Sequence, residues 1–214
     1  ITPAIEAAAK VRGTGIAKRT HEYVAQKMKE GKAVIALEGN KFAGFSYIES
    51  WGNKQYVTTS GLIVHPDFRG LGIAKRIKEM TFQLARMRWP HAKIFSLTSG
   101  AAVMKMNTEL GYVPVTFADL TDDEAFWRGC EGCVNHDILE RTGRRYCICT
   151  GMLFDPDDPH RAEKGGNIKA MKLLDPTKLP KGTKIFPYDM GVSAGNNCFN
   201  LVYADVPGTD EEGK

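Results

Sequence analysis

An apolar strand followed by an amphipathic helix is the clearest pattern in the chain. Residues 57–64 form a β-branched and apolar run, and His65-Pro66-Asp67 ends it because proline cannot continue a strand ladder. Apolar residues then recur at steps of four and three, at Ile73, Ile77, Met80, Leu84 and Met87. Polar residues take the opposite face, at Lys75, Arg76, Lys78, Glu79, Gln83 and Arg86. This spacing predicts a strand, a tight turn and a helix packed on a sheet.

Ahead of this unit the pattern predicts two helices and a hairpin. Residues 5–11 are alanine-rich, and residues 20–30 form a second helical segment with Thr20 as a suitable N-cap. Residues 32–38 and 41–49 contain apolar runs on either side of a Gly-Asn turn. We therefore expect a mostly antiparallel meander before the tight turn.

Strand and helix patterns alternate after the unit. The predicted elements are a strand at 92–98, a helix at 101–110, a strand at 112–117, a short helix opened by the capping-box residues Thr121 and Glu124, and a strand at 146–154 that returns beside residues 112–117. The chain then turns rich in Asp, Pro, Lys and Gly, with short apolar runs at 184–188 and 198–206. We expect one domain at 1–154 and a partly flexible C-terminal extension at 155–214.

Composition places the chain among ordinary globular proteins. Of its 214 residues, 43% are hydrophobic and 25% are charged, which suffices for a core and argues against disorder throughout. The net charge of +4 is mild, and a ligand with several phosphates accounts for it without a nucleic-acid partner. Neither a run of about 18 apolar residues nor a signal pattern is present, so we expect no membrane association and a cytoplasmic protein.

The turn at residues 69–74 has the chemistry of an anion site. Gly70 and Gly72 let a ligand oxygen approach the backbone, and the first N–H groups of the helix have no intrahelical partner. The helix dipole and the Arg69 side chain add positive potential, which favours a pyrophosphate. The alternative is that the glycines merely let a strand meet a helix. A Rossmann site and a P-loop do not fit, because the third glycine and acid of the former and the GK[ST] of the latter are missing.

The wider pattern resembles motif A of the GNAT acyltransferases. The residues concerned are Arg69, Gly72 and Ala74 in the pattern [R/Q]xxGx[G/A], an HPxxR turn before them, and Leu110-Gly111-Tyr112 in the place of the family's LGF or LGY. The resemblance covers residues 32–115. It implies an α/β (α+β) GNAT fold, with a mixed and mostly antiparallel twisted sheet, flanking helices and splayed central strands, and it suggests a bacterial subgroup. Because the chain opens at Ile1 and no clear strand precedes Glu6, we expect the natural chain to begin earlier.

The resemblance also implies a cosubstrate, acetyl-CoA or another acyl-CoA, and residues that bind it. In this chain the matching positions are Arg69, Gly70, Leu71, Gly72, Ile73, Ala74 and Lys75, and a backbone N–H of Leu62, Ile63 or Val64 that would polarise the thioester carbonyl. Glu49, at the end of a predicted strand, is the candidate base, although a solvated strand-end acid is an equal alternative. Asn107 occupies the position where many family members have a tyrosine acid and is the second candidate catalytic residue, although its amide can only hydrogen-bond the coenzyme and cannot act as that acid. Water or Tyr112 would then protonate the thiolate, or the thiolate would leave unaided.

The acceptor implied by the resemblance is a small amine or amino acid, and glutamate in arginine synthesis is one candidate. As the acyl donor, succinyl-CoA is as admissible as acetyl-CoA. A homodimer is a further expectation. Two alternatives stay open: a CoA-binding sensor or partner-binding module without catalysis, which Asn107 favours, and a zinc-stabilised nucleic-acid module.

Four cysteines stand in two close pairs within residues 128–149, an insertion that a minimal GNAT domain lacks. They are Cys130 and Cys133 in CxxC, and Cys147 and Cys149 in CxC. Four thiolates from two pairs match a structural zinc site, and in a strand the CxC pair would point to one face. Plain packing of reduced thiols and disulfides are the alternatives.

Overall fold

The computed structural model shows a central mixed sheet with helices on both faces. It describes residues 1–10 and 16–158, and the backbone of residues 192–194 and 197–203. The helices are α1 (Thr2–Ala9), α2 (His21–Lys29), α3 (Ile73–Arg88), α4 (Ala101–Glu109), α5 (Glu124–Arg128) and α6 (His136–Arg141). The strands are β1 (Ala33–Glu38), β2 (Lys41–Trp51), β3 (Tyr56–Val64), β4 (Lys93–Thr98), β5 (Val113–Val115), β6 (Thr150–Phe154), β7 (Val192–Ala194) and β8 (Asn197–Tyr203).

The sheet has the order β5-β6-β4-β3-β2-β1-β8-β7 among the described strands. Its neighbours are antiparallel except β3 and β4, which α3 joins in a parallel crossover. The expected meander, the helix after the tight turn and the return of β6 beside β5 are confirmed. Strand β8 extends the sheet beyond β1, in agreement with the apolar run at 198–206, whereas the run at 184–188 lies outside the described residues.

The two central strands diverge, as the fold class predicts. Strands β3 and β4 pair only from Tyr56 and Lys93 to Thr58 and Phe95. Beyond these positions β3 continues to Val64 and β4 to Thr98 without pairing to each other. The divergence leaves a gap in the middle of the sheet, which we call the β3–β4 gap.

Each face of the sheet carries its own apolar cluster. On one face, the predicted apolar residues Ile73, Ile77, Met80 and Leu84 of α3 pack with the sheet, and Tyr112 belongs to the same cluster. On the other face, Ile5 of α1 and Val24 of α2 pack against Phe45 and Tyr47 of β2. The β3–β4 gap therefore connects the α3 face with the α1–α2 face.

Several local predictions hold and others need correction. The Thr20 hydroxyl accepts a hydrogen bond from the Tyr23 N–H at 3.2 Å, so the predicted N-cap is confirmed. Helix α5 is capped by Asp123, which accepts from the Ala125 N–H, and not by Thr121. Thr121 instead accepts from the Asp123 N–H and so orients the residue that does cap the helix.

Candidate functional site

The predicted phosphate cradle, residues 69–74, is open in the structure. Gly70 and Gly72 have φ values of 78° and 77°, and a Cβ added at either glycine would meet nothing within 4 Å. Gly72 is the N-cap of α3 and supplies no side-chain cap. Within the described ranges, no acceptor meets the backbone N–H groups of residues 70–75. These amides are therefore free to bind an anion, which is the arrangement that the motif predicts.

The two cationic side chains of this region are already engaged. Nε of Arg69 donates to the Val64 carbonyl at 3.4 Å, and the Lys75 ammonium pairs with Glu109 at 2.8 Å. Both contacts are exposed to solvent, so an arriving phosphate competes with weak partners. The role of Arg69 and Lys75 in cofactor binding stays a prediction, as it does for Leu71, Ile73 and Ala74.

Strand β3 is irregular beside the gap. Its register against β2 shifts between Phe45 and Tyr47, and Gly61 has a φ of 66° at the irregularity. A Cβ on Gly61 would lie 2.6 Å from the Tyr47 ring, so a larger residue does not fit. Ile63 and Val64 pair with β2, whereas Leu62 lines the cavity described next. Of the three predicted carbonyl-polarising positions, Leu62 is thus the one that borders open space.

A cavity of about 440 Å³ lies on the α1–α2 face at the end of the gap. Four parts of the chain enclose it: the segment before α2, the strands β2 and β3, the end of β4, and the cysteine-bearing insertion. Its polar and charged lining includes Lys18, Arg19, Thr20, Tyr23, Ser46, Tyr47, Thr58, Thr59, Ser60, Lys78, Ser96, Thr98, Asn135 and His136. The volume is typical of a small-molecule site.

The described lining of the cavity is basic and contains no carboxylate. Lys18, Arg19 and Lys78 line it, and Asp and Glu are absent from that lining. An anionic ligand is therefore favoured over a cationic one, because the enclosed charges are of one sign.

Arg19 lines the cavity and has a guanidinium that can bind such an anionic ligand. Its Nε donates to the Tyr47 hydroxyl at 2.8 Å, and its NH1 donates to the Lys18 carbonyl at 2.9 Å. In the described part of the chain these acceptors are neutral, and no carboxylate pairs with Arg19. A guanidinium stays charged and presents five N–H donors, so it keeps the capacity to bind a carboxylate.

Glu49, the predicted base, is held in an ion-pair network outside the cavity lining. It accepts from Lys27 and, at 2.9 Å, from Lys32. Desolvation alone would raise the pKa of this carboxyl, but the hydrogen bonds from Lys27 and Lys32 outweigh it and hold the pKa below its ordinary value. A low pKa makes a weak base. The catalytic role of Glu49 stays a prediction, which this arrangement weakens.

Asn107 is fully buried and does not reach the cavity. Its amide Nδ2 approaches the Met152 sulfur at 3.5 Å, and Oδ1 has no hydrogen-bond partner among the described residues. Its predicted catalytic role therefore has no contact with the cavity to support it. Tyr112, the alternative proton donor, lies in the α3-face cluster between Phe82 and Phe154. Burial raises the pKa of its phenol, and the Thr59 hydroxyl offsets this only in part.

Lys78 is not on the polar face of α3, contrary to the sequence prediction. Its side chain is 2% exposed, and Nζ donates to the Thr59 hydroxyl at 2.6 Å. The periodicity misplaced it because α3 passes beneath the β3–β4 gap, where a polar side chain finds room that a continuous sheet would not leave. Burial lowers the pKa of this ammonium to about 7.

The four cysteines gather on the insertion side of the cavity, but the predicted zinc site is not supported. All four line the cavity as free cysteines, yet no group of three or more His, Cys, Asp or Glu in the described residues is placed to hold a metal ion. Burial raises the pKa of the Cys130 thiol to about 11 and that of Cys149 to about 12. Cys147 and Cys149 also precede β6 and lie outside any strand, which corrects the predicted strand start at 146.

The sequence reasoning missed Arg19, Tyr47 and the closure of the cavity by the insertion. A basic residue just before an N-cap is a weak signal, and nothing in the spacing links it to a strand 28 positions later. The cysteine spacing indicates the insertion, but its place at the cavity depends on how the chain returns from β5 to β6.

Comparisons with known proteins agree with this geometry. Residues 17–112 match the family model described as Acetyltransferase (GNAT) family. No curated protein matches the chain. Within the described residues, none of the helices combines the length and the apolar character needed to cross a bilayer.

Two solved structures illustrate the fold similarity. N-acetylglutamate synthase from Neisseria gonorrhoeae, complexed with coenzyme A and N-acetyl-glutamate, has a TM-score of 0.52 and 16% identity, over 72% of this chain and 32% of that one. Rv2747 from Mycobacterium tuberculosis, in complex with CoA and NLQ, has a TM-score of 0.51 and 16% identity, over 72% of this chain and 93% of that one. The chain thus spans about a third of the Neisseria enzyme. The GNAT acetyltransferase family model thus matches residues 17–112 of the chain, and the motif and the sheet with its gap agree with that match.

Proposed function

We propose that the protein is an acyl-CoA-dependent N-acyltransferase whose acceptor is a small amine that carries a carboxylate. The observation that carries the proposal is that three features lie along one path through the sheet. Free amides at residues 70–75 suit a pyrophosphate, the β3–β4 gap gives an extended arm a path through the sheet, and the gap ends in a basic cavity. A coenzyme placed along this line brings its thioester to the acceptor.

The acceptor class follows from the charge of the cavity. Arg19 offers free donor capacity to an anion, and the absence of Asp and Glu from the described lining removes the groups that would hold a second ammonium. An amino acid meets both conditions, since it supplies a nucleophilic amine and at least one carboxylate. The fold similarity to an N-acetylglutamate synthase makes glutamate the first acceptor to try.

The reaction is a nucleophilic acyl substitution. The neutral amine nitrogen attacks the thioester carbonyl carbon, a C–N bond forms, and the nitrogen loses one proton to solvent. The tetrahedral intermediate then collapses with cleavage of the C–S bond. The electron pair of that bond leaves with the coenzyme sulfur. A backbone N–H near Leu62 would stabilise the developing oxyanion. Acetyl and succinyl groups are both candidates for the transferred acyl group, and we propose the cytoplasm as the site of the reaction.

The test is a turnover screen. Acetyl-CoA and succinyl-CoA are each mixed with a panel of amino acids and of neutral amines, and acylated products are quantified by mass spectrometry. We expect acyl transfer to at least one carboxylate-bearing amine well above the rate of thioester hydrolysis. Hydrolysis alone across the whole panel, with coenzyme binding intact, would contradict the proposal.

A non-catalytic coenzyme sensor is the second candidate, and Asn107 is the observation that favours it. The amide stands where the resemblance implies a tyrosine acid, and it is buried away from the cavity. A sensor would bind acyl-CoA and raise its own melting temperature without consuming the thioester. The same screen separates the two candidates, because only the enzyme forms product.

A further inference from the structure

We propose that Lys78 is the catalytic proton donor to the coenzyme sulfur when the C–S bond breaks. The inference rests on the proposed acyltransferase function and assigns a residue to a step for which Asn107 offers no acid. It starts from the position of Lys78, the one charged side chain of α3 that lines the cavity.

Lys78 reaches the cavity from the coenzyme side of the sheet. Helix α3 packs on the face opposite α1 and α2, yet Lys78 borders the same cavity as Arg19 of the α2 side. A side chain from α3 meets that cavity only through the β3–β4 gap. A coenzyme whose pyrophosphate binds at the start of α3 passes its thiol end through the same gap. The Lys78 ammonium should therefore lie nearer to the coenzyme sulfur than to the acceptor amine.

The contacts of Lys78 leave its proton available. Among the described residues, its contacts are the Thr59 hydroxyl of β3, at 2.6 Å, and the ring of Tyr112, 5.1 Å from Nζ. Neither group is charged near neutral pH, and desolvation is the cause of the lowered pKa. No carboxylate in the described residues holds the ammonium in place. An acid with a pKa of about 7 transfers a proton favourably to a thiolate, whose conjugate thiol has an ordinary pKa of about 8.5.

The step balances in atoms and charge. The neutral amine nitrogen forms the new C–N bond and loses one N–H proton to solvent in the cavity, the C–S bond breaks, and sulfur takes the electron pair. The Nζ–H proton of Lys78 moves to that sulfur, which leaves free coenzyme thiol and a neutral lysine. Solvent in the cavity returns a proton to Lys78 before the next turnover.

Lys78→Met is the variant that removes the proton and keeps the length of the side chain. Replacing a buried ammonium by an apolar group removes a desolvation cost, so the variant should fold and melt no lower than the wild type. Lys105→Met is the matched control, because Lys105 is an exposed lysine of α4 away from the cavity.

Two readouts separate this inference from the proposed function. The first is the pH profile of kcat with the acceptor found in the screen. We expect Lys78→Met to lose about 100-fold in kcat, as is typical when a general acid is removed, with little change in KM for acyl-CoA. The wild type should lose rate as pH rises through about 7, where the donor deprotonates, and Lys78→Met should lack this limb. Lys105→Met should retain both kcat and the limb.

The second readout needs no turnover. The ultraviolet absorbance of the thiolate reports how much of the coenzyme A bound to each variant is ionised. Below about pH 7 Lys78 carries its charge, and a cation near sulfur stabilises the thiolate. In that pH range the thiolate fraction should therefore be larger in the wild type and in Lys105→Met than in Lys78→Met. Equal thiolate fractions in all three complexes, or a Lys78→Met enzyme with unchanged kcat and limb, overturn the inference while leaving the acyltransferase proposal intact. Failure of the turnover screen with a larger thiolate fraction in the wild type overturns the acyltransferase proposal instead.

Discussion

The proposed coenzyme end and the proposed acceptor end of this site differ in how they are built. The proposed coenzyme end, residues 69–75, is one continuous turn whose candidate binding groups are backbone amides of neighbouring residues. The proposed acceptor end is assembled from the segment before α2, two strands and an insertion more than 100 residues further on, and its candidate binding groups are side chains.

The difference explains why one end has a motif and the other has none. A backbone site requires only that particular positions tolerate positive φ, and glycine at Gly70 and Gly72 satisfies that locally. A side-chain site depends on which segments the fold brings together. A change of Arg19 or of the insertion can therefore alter which acceptor the cavity binds without affecting the turn. Mutations should therefore divide cleanly into those that affect the coenzyme and those that affect the acceptor.

The largest expected effect belongs to the acceptor end. Arg19→Met removes the charged donor but keeps an unbranched side chain, and we expect kcat/KM for a carboxylate-bearing acceptor to fall about 100-fold, since a hydrogen bond to a charged group contributes about 1.5–3 kcal/mol. The Kd of acyl-CoA should not change. Steady-state kinetics and calorimetry measure the two quantities.

Arg141→Met is the matched control for that variant, because Arg141 is exposed on α6 and does not line the cavity. If the enzyme also acylates a neutral amine, Arg19→Met should lower kcat/KM for that amine much less than for the anionic acceptor. An equal loss for both acceptors, or a weakened coenzyme Kd, would mean that Arg19 does not read the carboxylate.

The next effect belongs to the coenzyme end. Gly72→Val blocks the approach of a phosphate oxygen and strains a residue at φ 77°, so we expect the Kd of acyl-CoA to rise about 10- to 100-fold through the loss of charge-assisted hydrogen bonds. Gly39→Val is the matched control: its φ is 55°, its Cβ position is equally open, and it lies in the β1–β2 turn.

Both glycine variants should lose about 1–2 kcal/mol of unfolding free energy from left-handed strain. Only Gly72→Val should lose coenzyme affinity. If both variants bind the coenzyme equally well, the amides at residues 70–75 are not the pyrophosphate site.

A smaller effect concerns the insertion. Because burial raises the pKa values of Cys130 and Cys149 to about 11 and about 12, few of these thiols are ionised at neutral pH. We expect iodoacetamide to label them at least tenfold more slowly than a thiol of ordinary pKa, about 8.5, and the rate to increase as pH rises toward 10.

Peptide mass spectrometry measures the labelling at each cysteine. An acceptor bound in the cavity should protect these thiols further, whereas coenzyme A bound at the turn should protect them less. Fast labelling at neutral pH would show that the insertion does not enclose the cavity as described.

The smallest effect on activity is expected at Glu49. Since Lys27 and Lys32 hold it as a carboxylate, Glu49→Gln should lower the melting temperature by several degrees at pH 7 and leave kcat within about threefold. The folded-state pKa is depressed, so its stabilisation is present above the unfolded pKa and is lost as pH falls through the folded value. The melting difference should therefore shrink below about pH 4.

Glu131→Gln, at an exposed position of the insertion, is the control for Glu49→Gln. The contrary result is a loss of about 100-fold in kcat with normal melting and coenzyme affinity, which would establish Glu49 as the base that the sequence suggested.

The contrast between local features and features assembled from distant segments also explains how much the sequence could predict. Periodicity located α3, the β1–β2 hairpin and the strand β4, because these depend on local propensity and on one buried face. It misplaced Lys78, since a polar residue beneath a gap in a sheet has the same spacing as one facing solvent. It also could not reveal that Arg19 meets Tyr47 or that the cysteines face the cavity, since these contacts follow from the tertiary return of the chain.

The most direct test is a crystal structure of the protein with acetyl-CoA. We predict that pyrophosphate oxygens lie about 3 Å from backbone nitrogens of residues 70–75, that the pantetheine arm fills the β3–β4 gap, and that the sulfur lies beside Lys78. A coenzyme bound elsewhere, or these amides satisfied by the protein's own side chains with the gap closed, would contradict the account.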